Sequence, residues 1–115
     1  MRIAKDFYFD SAHRLNNYKG KCKNLHGHTY KLRIILEGEV NKNGFVIDFS
    51  EFKKIINDAI IEKLDHSYLN DLIKQPTAEN IIKWIWNKLE KKLPLYEIWL
   101  WETPNSFVIY NKQNK

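Results

Sequence analysis

Residues 26–38 constrain this chain more than any other stretch, because their polarity alternates with a period of two. Tyr30, Leu32, Ile34 and Leu36 fall on one side, and Thr29, Lys31, Arg33 and Glu37 on the other. That period is the signature of a strand with one buried and one polar face. An apolar face of this length needs a covering layer, so the chain must fold as a sheet with other elements packed against it.

The remaining pattern says what those elements are. Residues 2–13 read as a second strand, with Ile3, Phe7 and Phe9 on one face and His13 in phase with them. Between the two strands, residues 14–25 form a polar loop that holds Gly20 and Cys22. Asn41 to Gly44 read as a turn, followed by a short extended piece at Phe45 to Ile47. Asp48 is placed to cap a helix, with Glu51 completing a capping box. Phe49, Phe52, Ile55, Ile56, Ala59 and Ile60 then recur at helical spacing, enough for about three to four turns. Residues 64–76 carry no period and read as irregular. Thr77 caps a second helix, whose stripe is Ile81, Trp84, Ile85 and Leu89 and which Pro94 stops. Residues 96–102 and 106–112 are two further strands, joined by a tight turn at Thr103–Pro104–Asn105.

The order strand, strand, helix, helix, strand, strand predicts one α+β domain over residues 1–115. Its expected form is an antiparallel four-stranded sheet with both helices on one face. The other face carries aromatics too, and oligomerisation is the means of covering it.

Composition narrows the function classes. A chain of 115 residues has room for one core. Its net charge of +5 is spread over scattered lysines with no run of five, which argues against a nucleic-acid surface. The apolar runs are too short to span a membrane. The first ten residues alternate and lack the apolar block of a signal peptide, so a cytoplasmic location is expected. One cysteine allows no intrachain disulfide, leaving Cys22 as either a buried bystander or a functional thiol.

The chain has four histidines, and their placement points to a metal. His26 and His28, two apart in a strand, project from the same face. His13 ends the first strand, which a hairpin-like connection brings alongside the second. Three neutral imidazoles at the end of a sheet leave a tetrahedral zinc one open position, the catalytic arrangement. Cys22 lies four residues before His26 in a lysine-flanked loop, where cations and a metal favour the thiolate. Spacing alone supports a metal site with a candidate base beside it, and names no reaction.

These residues fall within six ordered motifs. They are Phe9–Asp10–Ser11–Ala12–His13–Arg14–Leu15; Cys22–Lys23–Asn24–Leu25–His26–Gly27–His28–Thr29–Tyr30; Val46–Ile47–Asp48–Phe49; Leu64–Asp65–His66–Ser67–Tyr68–Leu69–Asn70; Pro76–Thr77–Ala78–Glu79–Asn80; and Trp101–Glu102–Thr103. In this order and over essentially the whole chain, they resemble the 6-pyruvoyl-tetrahydropterin synthase family.

The resemblance implies His13, His26 and His28 as zinc ligands, Cys22 as the catalytic cysteine, and Asp65 and His66 as the pair that assists it. It implies Glu102 as the anchor of a pterin ring and Thr77 as a second pterin contact, although an N-cap role explains Thr77 equally well. Singly, Asp65 also reads as a loop cap and Glu102 as a surface charge. Three residues separate Cys22 from His26, a spacing that resembles the family's 6-carboxy-tetrahydropterin synthase branch of queuosine-type biosynthesis. A further branch has glutamate where this chain has the cysteine. The resemblance also implies a pterin triphosphate substrate, a tunnelling fold that closes into a barrel by oligomerisation, and a homohexamer built from two trimers.

Overall fold

The protein is described here by a computed structural model covering residues 1–16 and 24–111. Strand β1 (Arg2–His13) pairs antiparallel with β2 (His26–Glu37) over its whole length, from Arg2 opposite Glu37 to His13 opposite His26. β2 also pairs with β4 (Leu95–Thr103), and β4 with β5 (Ser106–Tyr110), both antiparallel. The β4–β5 turn lies where Pro104 and Asn105 predict it.

The expected four-stranded antiparallel sheet is corrected in one respect. A fifth strand, β3 (Ser67–Tyr68), pairs parallel to β1, so the sheet is mixed with order β3-β1-β2-β4-β5. It lies inside the segment read as irregular. Two residues are too few to establish a period, and the pairing of Ser11 with Ser67 and of Ala12 with Tyr68 depends on where the chain returns in space. The extended piece at Phe45 to Ile47 does not join the sheet.

Helix α1 (Phe49–Ile56) runs through a π-helical stretch (Asn57–Ile61) into α2 (Glu62–Leu64), giving one continuous rod. Asp48 caps it as predicted, although its side chain accepts from the Ser50 N–H. Helix α3 (Ala78–Leu89) is the second rod, capped by Thr77. Phe52, Ile56, Ile60 and Leu64 from the first rod, and Ile81, Ile85, Trp86 and Leu89 from α3, meet Phe9, Tyr30, Leu32, Ile34, Leu36, Ile98 and Leu100 in a single core. Each fully buried large aliphatic side chain contributes about 1.5–3 kcal/mol by leaving water, which is why the alternation in β2 is so regular. Core residues in phase with His13 and His28 run down the covered face, so the histidines sit at that face's end.

Candidate active site and metal centre

The β1–β2 register sets His13 opposite His26 and Ser11 opposite His28. His13 is fully buried, and His26 and His28 are partly buried. One candidate ligand atom from each imidazole lies within 4.8 Å of the other two.

Hydrogen bonds fix two of the tautomers. His13 Nδ1 lies 2.8 Å from the Pro76 carbonyl and His26 Nδ1 lies 2.7 Å from the Asn24 carbonyl. A carbonyl only accepts, so both Nδ1 atoms carry the proton. The two Nε2 atoms then present lone pairs to each other at 2.9 Å, an arrangement that neutral imidazoles hold comfortably only around a cation. His28 Nε2 is buried without a hydrogen-bond partner, and Glu102 Oε1 at 3.8 Å is beyond hydrogen-bond reach. Burial holds the His28 imidazole below the usual histidine range. Glu102 opposes that shift and the neighbouring imidazoles add to it. Neutral imidazoles with inward lone pairs are in the state that binds metal. These residues fit a zinc-type cation with one position open.

Glu102 reaches the site because β2 and β4 part company there. Their ladder ends at Lys31 opposite Trp101, and the β4–β5 register shifts between Trp101 and Thr103. A cavity of about 570 Å³ opens in the gap, lined by His28, Lys31, Trp101 and Glu102 among others. A second cavity, of about 700 Å³, lies toward β1 and β3 and includes Asp10, Leu25, His66 and Tyr68 in its wall. The two share Gly27, His28 and Thr29, so the histidine cluster borders both through His28.

Asp65 and His66 are placed by β1. The Asp10 N–H donates to Asp65 Oδ1 at 2.9 Å, and the His66 N–H donates to the Asp10 carbonyl at 2.6 Å. His66 adopts a left-handed backbone, with φ of 55°. This conformation is uncommon outside glycine and frequent at functional sites. Its Nδ1 lies 3.1 Å from Asp65 Oδ2 while the ring stands 80% exposed. The Asp10 N–H, reinforced by His66, holds the Asp65 carboxyl below the usual carboxylate range. An exposed imidazole backed by an ionised carboxylate can exchange protons with a bound molecule.

Thr77 uses its hydroxyl as the α3 cap, accepting from the Asn80 N–H at 3.2 Å, and lines neither cavity. Cys22 lies outside the described residues, as do Lys19, Lys21 and Lys23. Sequence reasoning assigned no role to Asp10, Lys31 or Trp101. Asp10 carries a signal within its own motif, beside Ser11 and His13. Trp101 likewise lies in a motif, beside Glu102, whereas Lys31 lies in none and reaches a cavity only through the parting of β2 from β4.

Comparison with known proteins agrees with this geometry. The family model described as 6-pyruvoyl tetrahydropterin synthase matches residues 2–113. The chain belongs to the 6-pyruvoyl tetrahydropterin synthase family.

Within that family it is 37% identical to the 6-carboxy-5,6,7,8-tetrahydropterin synthase of Haemophilus influenzae, over 96% of this chain and 99% of that protein. It is 41% identical to a dihydroneopterin monophosphate aldolase of Pyrococcus furiosus, over 88% of this chain and 89% of that protein. Its fold matches the structure of Caenorhabditis elegans 6-pyruvoyl tetrahydropterin synthase with a TM-score of 0.86 at 27% identity, over 96% of this chain and 94% of that one. The family thus unites relatives whose names differ in reaction, and the scaffold alone does not select among them.

Proposed function

We propose that the protein is a zinc-dependent 6-carboxy-5,6,7,8-tetrahydropterin synthase. In this reading it converts 7,8-dihydroneopterin triphosphate and water to 6-carboxy-5,6,7,8-tetrahydropterin, acetaldehyde and triphosphate, for queuosine-type deazapurine synthesis in the cytoplasm. The convergence of His13, His26 and His28 beside Glu102 carries the reading. The 37% identity to the Haemophilus enzyme over nearly both full lengths supports it, as does the spacing between Cys22 and His26.

The three imidazoles would hold zinc, which supplies Lewis acidity toward the hydroxyls of the substrate's side chain. Glu102 pairs with the pterin edge through charge-assisted hydrogen bonds and decides which carbon faces the metal. Thr77 adds a second pterin contact. The Cys22 thiolate removes a proton, and His66, held by Asp65, passes protons to and from it. The protein works as a homohexamer of two trimers, in which Asp65 and His66 serve the Cys22 of a neighbouring copy. It acts on a small molecule and engages neither nucleic acid nor membrane. Among the described residues, no helix is long and apolar enough to cross one.

A second reading is supported by the 41% identity to the Pyrococcus aldolase. In that reading the substrate carries one phosphate and the reaction is an aldol cleavage. The third is pyruvoyl formation, the activity in the name of the nematode protein.

Product mass separates all three. The zinc-loaded protein is incubated with dihydroneopterin triphosphate and, separately, with the monophosphate. Carboxy-tetrahydropterin with acetaldehyde from the triphosphate is expected, and Cys22→Ala should abolish it while zinc stays bound. A pyruvoyl product, or cleavage of the monophosphate alone, would replace the reading with one of its relatives.

A further inference from the structure

β1 ends at His13, yet its edge continues. The Arg14 N–H donates to Asn70 Oδ1 at 2.9 Å, and Asn70 Nδ2 donates back to the Arg14 carbonyl at 2.8 Å. Two residues on, the Asn16 N–H donates to Gln75 Oε1 at 2.8 Å, and Gln75 Nε2 donates to the Asn16 carbonyl at 2.8 Å. Exchange of both bonds at alternate residues is what a neighbouring strand would provide. Here two side-chain amides stand in for that strand.

The same segment holds the other partner of His13. Gln75 precedes Pro76, whose carbonyl accepts from His13 Nδ1. The Gln75 carbonyl accepts from the Thr77 N–H at 2.9 Å and from Asn80 Nδ2 at 2.9 Å, so the turn that presents Pro76 is tied to α3. Gln75 therefore grips the main chain three residues past His13 with its side chain. Its main chain anchors the carbonyl that sets the His13 tautomer.

We propose that Asn70 and Gln75 are positioning residues for the metal centre, holding His13 so that Nε2 faces His26 and His28. The chemistry requires an amide at both positions. A carboxylate would accept the main-chain N–H but repel the carbonyl, and alanine would do neither. Partners that orient a ligating imidazole typically contribute 10–100-fold to metal affinity. The proposal rests on the metal reading above and adds two residues to it that touch neither metal nor substrate.

The test uses the whole protein, stripped of metal and titrated with zinc and with cobalt(II) against a chelator of known affinity. Gln75→Glu and Asn70→Asp should each weaken zinc by about tenfold and change the cobalt absorption bands. Both should speed hydrogen exchange at the Arg14 and Asn16 amides, and lower kcat with KM little changed. The two variants act through different main-chain residues, so either one suffices if the other folds poorly. If exchange speeds up while zinc affinity and the cobalt spectrum match the wild type, the amides only stabilise the chain and the proposal is overturned. If the wild type itself binds neither ion, the metal reading fails first.

Discussion

A buried hydrogen-bonding atom left without a partner costs about 1–3 kcal/mol, and His28 Nε2 is one such atom. Its neighbours face the same problem in another form, because His13 and His26 spend their Nδ1 protons on carbonyls and turn lone pairs toward each other. A metal bound there would remove both penalties together. Glu102 has a different proposed part at the same point. It reaches into the cavity between β2 and β4, and a carboxylate there suits a donor edge such as that of a pterin ring. Glu102→Gln keeps the shape and removes the charge, so it should raise KM by about tenfold or more, the equivalent of roughly 1.5–3 kcal/mol for a charge-assisted pairing. Zinc content should not change. Steady-state kinetics beside metal analysis would check this, and a fall in kcat with KM unchanged would move Glu102 from binding to chemistry.

Among the elements, β1 and β2 matter most, because their long register places all three imidazoles. On their outer face Arg33 holds the Asp6 carboxylate through two hydrogen bonds, of 2.7 and 3.0 Å. The Arg33 guanidinium, with Lys31 nearby, lowers the Asp6 pKa below its ordinary value near 3.8. A carboxyl whose folded pKa is depressed contributes stability that is fully present above the unfolded value and fades as pH falls through the folded one. Asp6→Asn should therefore cost about 0.5 kcal/mol near neutrality, a figure already reduced for solvent screening. The cost should shrink toward pH 3. Urea unfolding at both pH values would show it, and an equal cost at both would mean that the pair works through packing.

At the scale of the whole molecule, one sheet face is covered by the two helical rods and the other is not. That second face bears Trp99 stacked on Phe107 at 5.6 Å, with Trp101 beside both and Tyr8 61% exposed. A cluster of half-buried and exposed aromatics of this kind marks an interaction surface, and other copies of the chain are the proposed cover. Phe107→Glu should then yield a smaller assembly by light scattering while circular dichroism stays unchanged, because Phe107 lies outside the core. A wild type that runs as a monomer would remove the proposed hexamer altogether.

Most of the fold was legible in the sequence because its signals are periodic and local. The alternation of Tyr30 to Leu36, the caps at Asp48 and Thr77, and the turn at Pro104 each depend on neighbouring residues alone. The convergence of the three histidines into a candidate metal cluster was legible for the same reason, since His26 and His28 share a strand face by spacing and His13 ends the strand before it. What the sequence could not contain was contact between distant segments. The parallel pairing of Ser67 and Tyr68 with β1, the parting of β2 from β4 that opens a cavity at Glu102, and the amides of Asn70 and Gln75 on Arg14 and Asn16 join residues tens of positions apart. Local pattern was enough to assign residues to faces. Which faces and edges meet is settled by the packing of the whole core, which no local pattern records.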